Sequence, residues 1–98
     1  MKKWFVASIL VLSGINLAWA DTAPAKAQTC VACHGPAGVS SYPEWPNLAG
    51  QKEQYLAKAI GEYKSGTRSD ATMKAMVAAL SDADVANLAA YFSGQACK

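Results

Sequence analysis

The reactive chemistry of this 98-residue chain is concentrated in one stretch, Cys30-Val31-Ala32-Cys33-His34. His34 is the only histidine, and Cys97 is the only cysteine outside the stretch. Two thiols three residues apart share one turn of a helix. They can form thioether bonds with the two vinyl groups on one edge of a porphyrin. His34 then falls under the iron and offers an imidazole nitrogen as an axial ligand. Cys-x-x-Cys-His is the attachment signature of covalently bound haem c, so the cofactor read from the sequence is one haem c with its iron.

Two other readings compete for the same residues. A Cys-x-x-Cys pair can serve thiol–disulfide exchange, but that motif belongs beside a βαβ pattern, and the chain has none. It can also form half of a zinc site. That needs further Cys or His ligands at a suitable spacing, and Cys97 is the only one left.

The segments around the motif say how it is positioned. Lys2 and Lys3, the apolar run Trp4 to Leu12 broken only by Ser8, and Ala18-Trp19-Ala20 have the layout of a secretory signal peptide. The apolar run is short for a membrane span, which takes about 20 apolar residues. Cleavage is expected after Ala20, giving residues 1–20 as signal peptide and 21–98 as one exported domain with no membrane span. Uncleaved, the segment would be an anchor. Without Lys2 and Lys3 the nine basic residues become seven against seven acidic ones, and the near-neutral charge gives no support to a nucleic-acid role.

A domain of about 80 residues needs a staple besides its own side chains. Its cysteines are odd in number, which argues against an even disulfide framework. A haem, large, flat and apolar, would fill the core.

The coarse reading is all-α. A helix is expected from Thr22 as N-cap, with Pro24 in its first turn, to Cys33. Gly35 to Pro46 is rich in Gly, Pro and Ser and reads as irregular. Gln51 to Ser65 reads as a helix with Tyr55, Leu56, Ala59, Ile60 and Tyr63 on one face, stopped by Gly66. A short helix is expected from Thr72 to Leu80. Ser81-Asp82-Ala83-Asp84 then resembles a capping box, opening a last helix through Ser93 with Val85, Leu88, Ala89 and Phe92 on one face.

Beyond the motif, the chain resembles the class I cytochromes c, and most nearly one half of the bacterial dihaem cytochromes c and their short single-haem relatives. The likeness rests on Cys30 to Pro36, on Pro46-Asn47-Leu48-Ala49-Gly50-Gln51 with Tyr55-Leu56, on Lys64-Ser65-Gly66-Thr67-Arg68, on Met73 to Met76, and on Leu80 to Phe92. It implies the class I cytochrome c fold, with short helices wrapped around the haem and the N-terminal helix crossing the C-terminal one. Where the family usually has a glycine about two turns before the first cysteine, this chain reads Thr22-Ala23-Pro24-Ala25.

The resemblance further implies a methionine as second axial ligand, which favours ferrous iron and raises the potential. Met73 matches by position. It also lies where the polar loop Thr67 to Ala71 enters a short helix, whereas Met76 aligns with Val77 and Leu80 as ordinary helix core. The family's acceptor for the second nitrogen of the ligating histidine is a proline carbonyl, matched by Pro46; otherwise Pro46 only shapes the loop. Trp45, Tyr55, Tyr63 and Arg68 could line the haem or bond a propionate, or be ordinary core and surface.

The function expected is periplasmic one-electron transfer, not enzymatic catalysis, through transient docking with redox protein partners at the haem edge near Cys30 and Cys33. The alternatives are a haem-based ligand-binding or sensor protein, or the electron-transfer subunit of a larger oxidoreductase. Cys97, near the chain end and without a partner in the chain, is expected either to link a disulfide homodimer or to be buried and inert.

Overall fold

The computed structural model describes Lys3 and residues 23–97. The expected signal peptide and the Thr22 cap lie outside the described residues. Among those residues the chain is helical without a strand: α1 (Ala27–His34), a 3-10 turn (Pro36–Gly38), α2 (Glu53–Ser65), α3 (Ala71–Val77) and α4 (Asp82–Ser93).

α1 starts later than its composition suggests. The Ala27 amide bonds the Pro24 carbonyl at 2.9 Å and the Gln28 amide bonds Ala25 at 3.3 Å, so residues 24–26 form a turn that feeds the helix. Ala27, only 1% exposed, belongs to the same core as Leu88 and Ala89 of α4. Its small side chain places α1 beside α4 in that core. Lys26 and Asp84 join them again by an ion pair at 2.5 Å.

α2 starts after Lys52, whose backbone is extended, and stops at Gly66 in the left-handed conformation that a side chain would strain. Leu56 is its buried anchor, with Ala57, Ile60 and Tyr63 packed around the core. Tyr55, expected on that face, is instead 41% exposed, and its hydroxyl accepts a hydrogen bond from Arg68. α3 ends at Val77 instead of continuing to Leu80. The Leu80 amide turns back to the Val77 carbonyl at 3.0 Å, because Ser81 must be extended to cap the next helix.

The capping box read from the sequence is present with aspartate at its third helical position. The Asp84 amide donates to Ser81 Oγ at 3.1 Å, and the Ser81 amide donates to Asp84 Oδ2 at 2.9 Å. α4 packs on α2, and α2 on α3. Lys64 Nζ donates to the Leu80 carbonyl, tying the end of α2 to the α3–α4 junction. The core comprises Ala27, Ala49, Leu56, Val77, Leu80, Leu88, Ala89 and Phe92.

Candidate haem site

Cys30, Cys33 and His34 occupy the last turns of α1. Both cysteines are half-buried, and His34 is 8% exposed. Burial pushes the Cys30 thiol above its ordinary pKa. The exchange reading lacks its setting, since among the described residues there is no strand and so no βαβ unit. The zinc reading also lacks a partner set. Among the described residues no group of three or more His, Cys, Asp or Glu side chains converges to hold a metal ion.

The chain leaves α1 through Gly35, whose φ of 84° and ψ of 164° are nearly closed to residues with a side chain. A Cβ there would lie 1.9 Å from the Val39 carbonyl oxygen. The loop that follows is tied back on itself. The Gly38 carbonyl accepts from Leu48 at 2.8 Å and Ala49 at 3.1 Å, and Asn47 Oδ1 accepts from the Ser40 amide at 2.6 Å. These bonds bring Pro46 under α1, where its carbonyl oxygen lies 2.7 Å from His34 Nδ1. A carbonyl only accepts, so Nδ1 carries the proton and Nε2 keeps its lone pair. This is the tautomer a metal-ligating histidine needs.

On α3, Met73 is half-buried against the same core that Cys30 and Val31 border. Its amide donates to Asp70 Oδ1 at 2.9 Å. Met76, expected as helix core, is 48% exposed. The inward stripe of this region runs Met73, Val77, Leu80, at offsets of zero, four and seven, and Met76 falls beside it.

Arg68 donates to the Tyr55 hydroxyl at 3.1 Å and lies 5.0 Å from the centre of the Tyr63 ring, and both contacts strengthen its hold on its proton. Three of the four weaker candidates thus form one cluster. The fourth, Trp45, packs edge-on against Tyr42 in the exposed part of the loop. Two residues carry roles that the sequence reading did not assign. Asn47 pins the loop that holds Pro46, and nothing in its surroundings in the sequence announces this. Asp70 caps α3, and an aspartate directly before an apolar helical stretch was a visible start signal. Cys97 is exposed, which removes the buried alternative.

The donor set fits haem c: two thiols one turn apart, an adjoining imidazole with Nε2 available, and a thioether bordering the same core. The cytochrome c family profile matches residues 22–95. The chain belongs to the cytochrome c family. The family's cofactor is haem c, bound covalently, and the chain resembles one half of a dihaem cytochrome. It is 44% identical to cytochrome c4 of Pseudomonas aeruginosa, over 97% of this chain and 49% of that protein. It is 47% identical to cytochrome c-554(548) of Halomonas halodenitrificans, over 71% of this chain and 88% of that one. The thiosulfate dehydrogenase electron acceptor of Thiomonas intermedia is 43% identical over 76% of this chain and 35% of its own length. The solved structure of Acidithiobacillus ferrooxidans cytochrome c4 superposes with a TM-score of 0.63 at 31% identity, covering 76% of this cytochrome and 40% of that chain. This cytochrome spans about half the length of the cytochromes c4 it matches.

Proposed function

We propose that this cytochrome c is an exported one-electron carrier. Its haem is attached through Cys30 and Cys33, and its iron is ligated by His34 and Met73. The bond between His34 Nδ1 and the Pro46 carbonyl carries the reading, because it fixes ring orientation and tautomer together. When bound, the haem iron supplies a reversible one-electron couple. The chain's own part is to hold both axial donors still and to keep other ligands out. Its only histidine is engaged in this way, so no second imidazole serves as a general base, and the proposal includes no enzymatic reaction.

Export rests on the N-terminal sequence, with signal cleavage after Ala20 and a periplasmic product. Among the described residues no helix is long and apolar enough to cross a membrane. The likeness to a thiosulfate dehydrogenase electron acceptor supports an oxidoreductase as the electron donor, met through a transient interface. Exposed Cys97 supports a disulfide-linked homodimer in an oxidising compartment.

Met73→Ala and Met76→Ala of the ferric holoprotein test the ligation. Met73→Ala is expected to lose the weak far-red band of methionine–iron ligation, bind carbon monoxide when reduced, and lower the potential, with haem still attached. Met76→Ala is expected to keep all three properties. The reverse result would transfer the ligand role to Met76, and carbon monoxide binding by the wild type would favour a ligand-binding protein over a carrier.

A further inference from the structure

α3 has seven residues, too few to hold a helix without help. At its C-terminal end Ala78 carries the right-handed helical conformation onward and the Leu80 amide closes on the Val77 carbonyl at 3.0 Å, without a side-chain cap. Its N-terminal end is built differently. Asp70 stands extended at φ −163° and ψ 115°, and Oδ1 accepts the Met73 amide at 2.9 Å while its carbonyl accepts Lys74 at the same distance. The carboxylate therefore grips the backbone of the one residue on α3 whose thioether is assigned to the iron.

We propose that Asp70 is a positioning residue for the axial methionine. Its carboxylate locks the first turn of α3 and so sets the fraction of time Met73 occupies its ligating position. The proposal rests on the assignment of Met73 made above. Losing the cap frees the turn to fray, and an external ligand binds the iron only while the methionine is away. Apparent affinity for that ligand scales with the fraction of molecules in the open state. Loss of an ordinary helix cap raises that fraction roughly fivefold.

Imidazole titration of the ferric holoprotein, followed by absorbance, is the test. Asp70 is exposed, so Asp70→Ala leaves the core intact. It is expected to bind imidazole roughly fivefold more tightly. Asp70→Asn keeps an acceptor at the cap and is expected to behave as wild type. Ser81→Ala separates positioning from stability, because it removes the equivalent cap of α4, which holds the Asp84 amide. It should lower the unfolding midpoint by an amount similar to Asp70→Ala and leave imidazole affinity unchanged. Unchanged affinity in Asp70→Ala, or an equal rise in Ser81→Ala, overturns the proposal. A far-red band that survives Met73→Ala overturns the ligand assignment beneath it, a failure visible without any Asp70 variant.

Discussion

Replacing Gly35 by alanine tests how strictly the backbone beside His34 is determined, and Gly61→Ala supplies the contrast. At Gly35 the dihedral angles of 84° and 164° lie where a side chain costs about 1–3 kcal/mol in strain alone. The added Cβ would sit 1.9 Å from the Val39 carbonyl oxygen, 2.6 Å from its carbon and 3.0 Å from Ser40 Cα. All three are main-chain atoms, so residues 39–40 must move, and with them the Ser40 amide that Asn47 holds next to Pro46. A loss of about 3 kcal/mol or more is expected, a fall in melting temperature of at least about 12–24 °C for a domain of this size. Gly61 lies inside α2 with nothing within 4 Å of a built Cβ. There alanine gains about 1 kcal/mol of helix propensity, a rise of about 4–8 °C. Thermal melts of the two holoproteins by far-ultraviolet circular dichroism read both signs at once. A Gly35→Ala protein melting within two or three degrees of wild type, on this scale of about 4–8 °C per kcal/mol, would refute the strain argument.

Three further outcomes are expected. The Lys26 hydrogen bond, with the Ser81 amide behind it, lowers the Asp84 pKa from 3.8 to about 2. A lowered carboxylate pKa stabilises the fold above the ordinary value and loses that contribution as pH falls through the folded one. The stability gap between wild type and Asp84→Asn should thus shrink between about pH 4 and pH 2, and the same gap at both ends would contradict the pairing. A Cys30→Ala/Cys33→Ala protein made without haem should be largely unfolded, because Ala27, Ala49 and Ala89 are three of the eight buried apolar residues and contribute little area; native-like helix content with a cooperative melt would count against it. Cys97 should alkylate without denaturant and yield a dimer band on non-reducing electrophoresis that Cys97→Ser lacks, and a thiol that resists alkylation would contradict its exposure.

What could be read in the sequence was what local chemistry encodes. The Ser81–Asp84 capping box, the Gly66 stop and the buried face of α4 each depend on residues a few positions apart, and the structure has them where expected; the attachment motif is legible for the same reason. Helix starts were less legible, because a turn at residues 24–26 and an extended Lys52 precede helices whose composition continues through them. The misplacement of Tyr55 and Met76 has a different cause. Helical periodicity identifies apolar residues, but a chain with a covalent cofactor divides its apolar residues between its own core and other surfaces. Periodicity carries no mark of that division. The role of Asn47 was out of reach for a third reason: it reaches seven residues back to Ser40 across a loop with no repeating geometry.

The two donors assigned to the iron are held by the same device, and this bears on electron transfer. His34 is oriented by a main-chain carbonyl, that of Pro46, and Met73 by the capping of its own amide through Asp70. Neither restraint depends on the bulk of neighbouring side chains, which is scarce in a core so rich in alanine. Hydrogen bonds to backbone groups set direction as well as distance, so they can hold a ligand's geometry where packing alone would leave it loose. A carrier needs that geometry to stay the same in both oxidation states. Its two anchors also lie in separate segments, the loop after α1 and the cap of α3, so loosening one need not loosen the other. Gly35→Ala acts on the histidine side and Asp70→Ala on the methionine side. If the anchors are independent, Gly35→Ala alone should leave imidazole affinity unchanged, and Asp70→Ala should raise it by the same factor with or without Gly35→Ala. A rise in imidazole affinity in Gly35→Ala alone would mean instead that one shared motion frees both ligands.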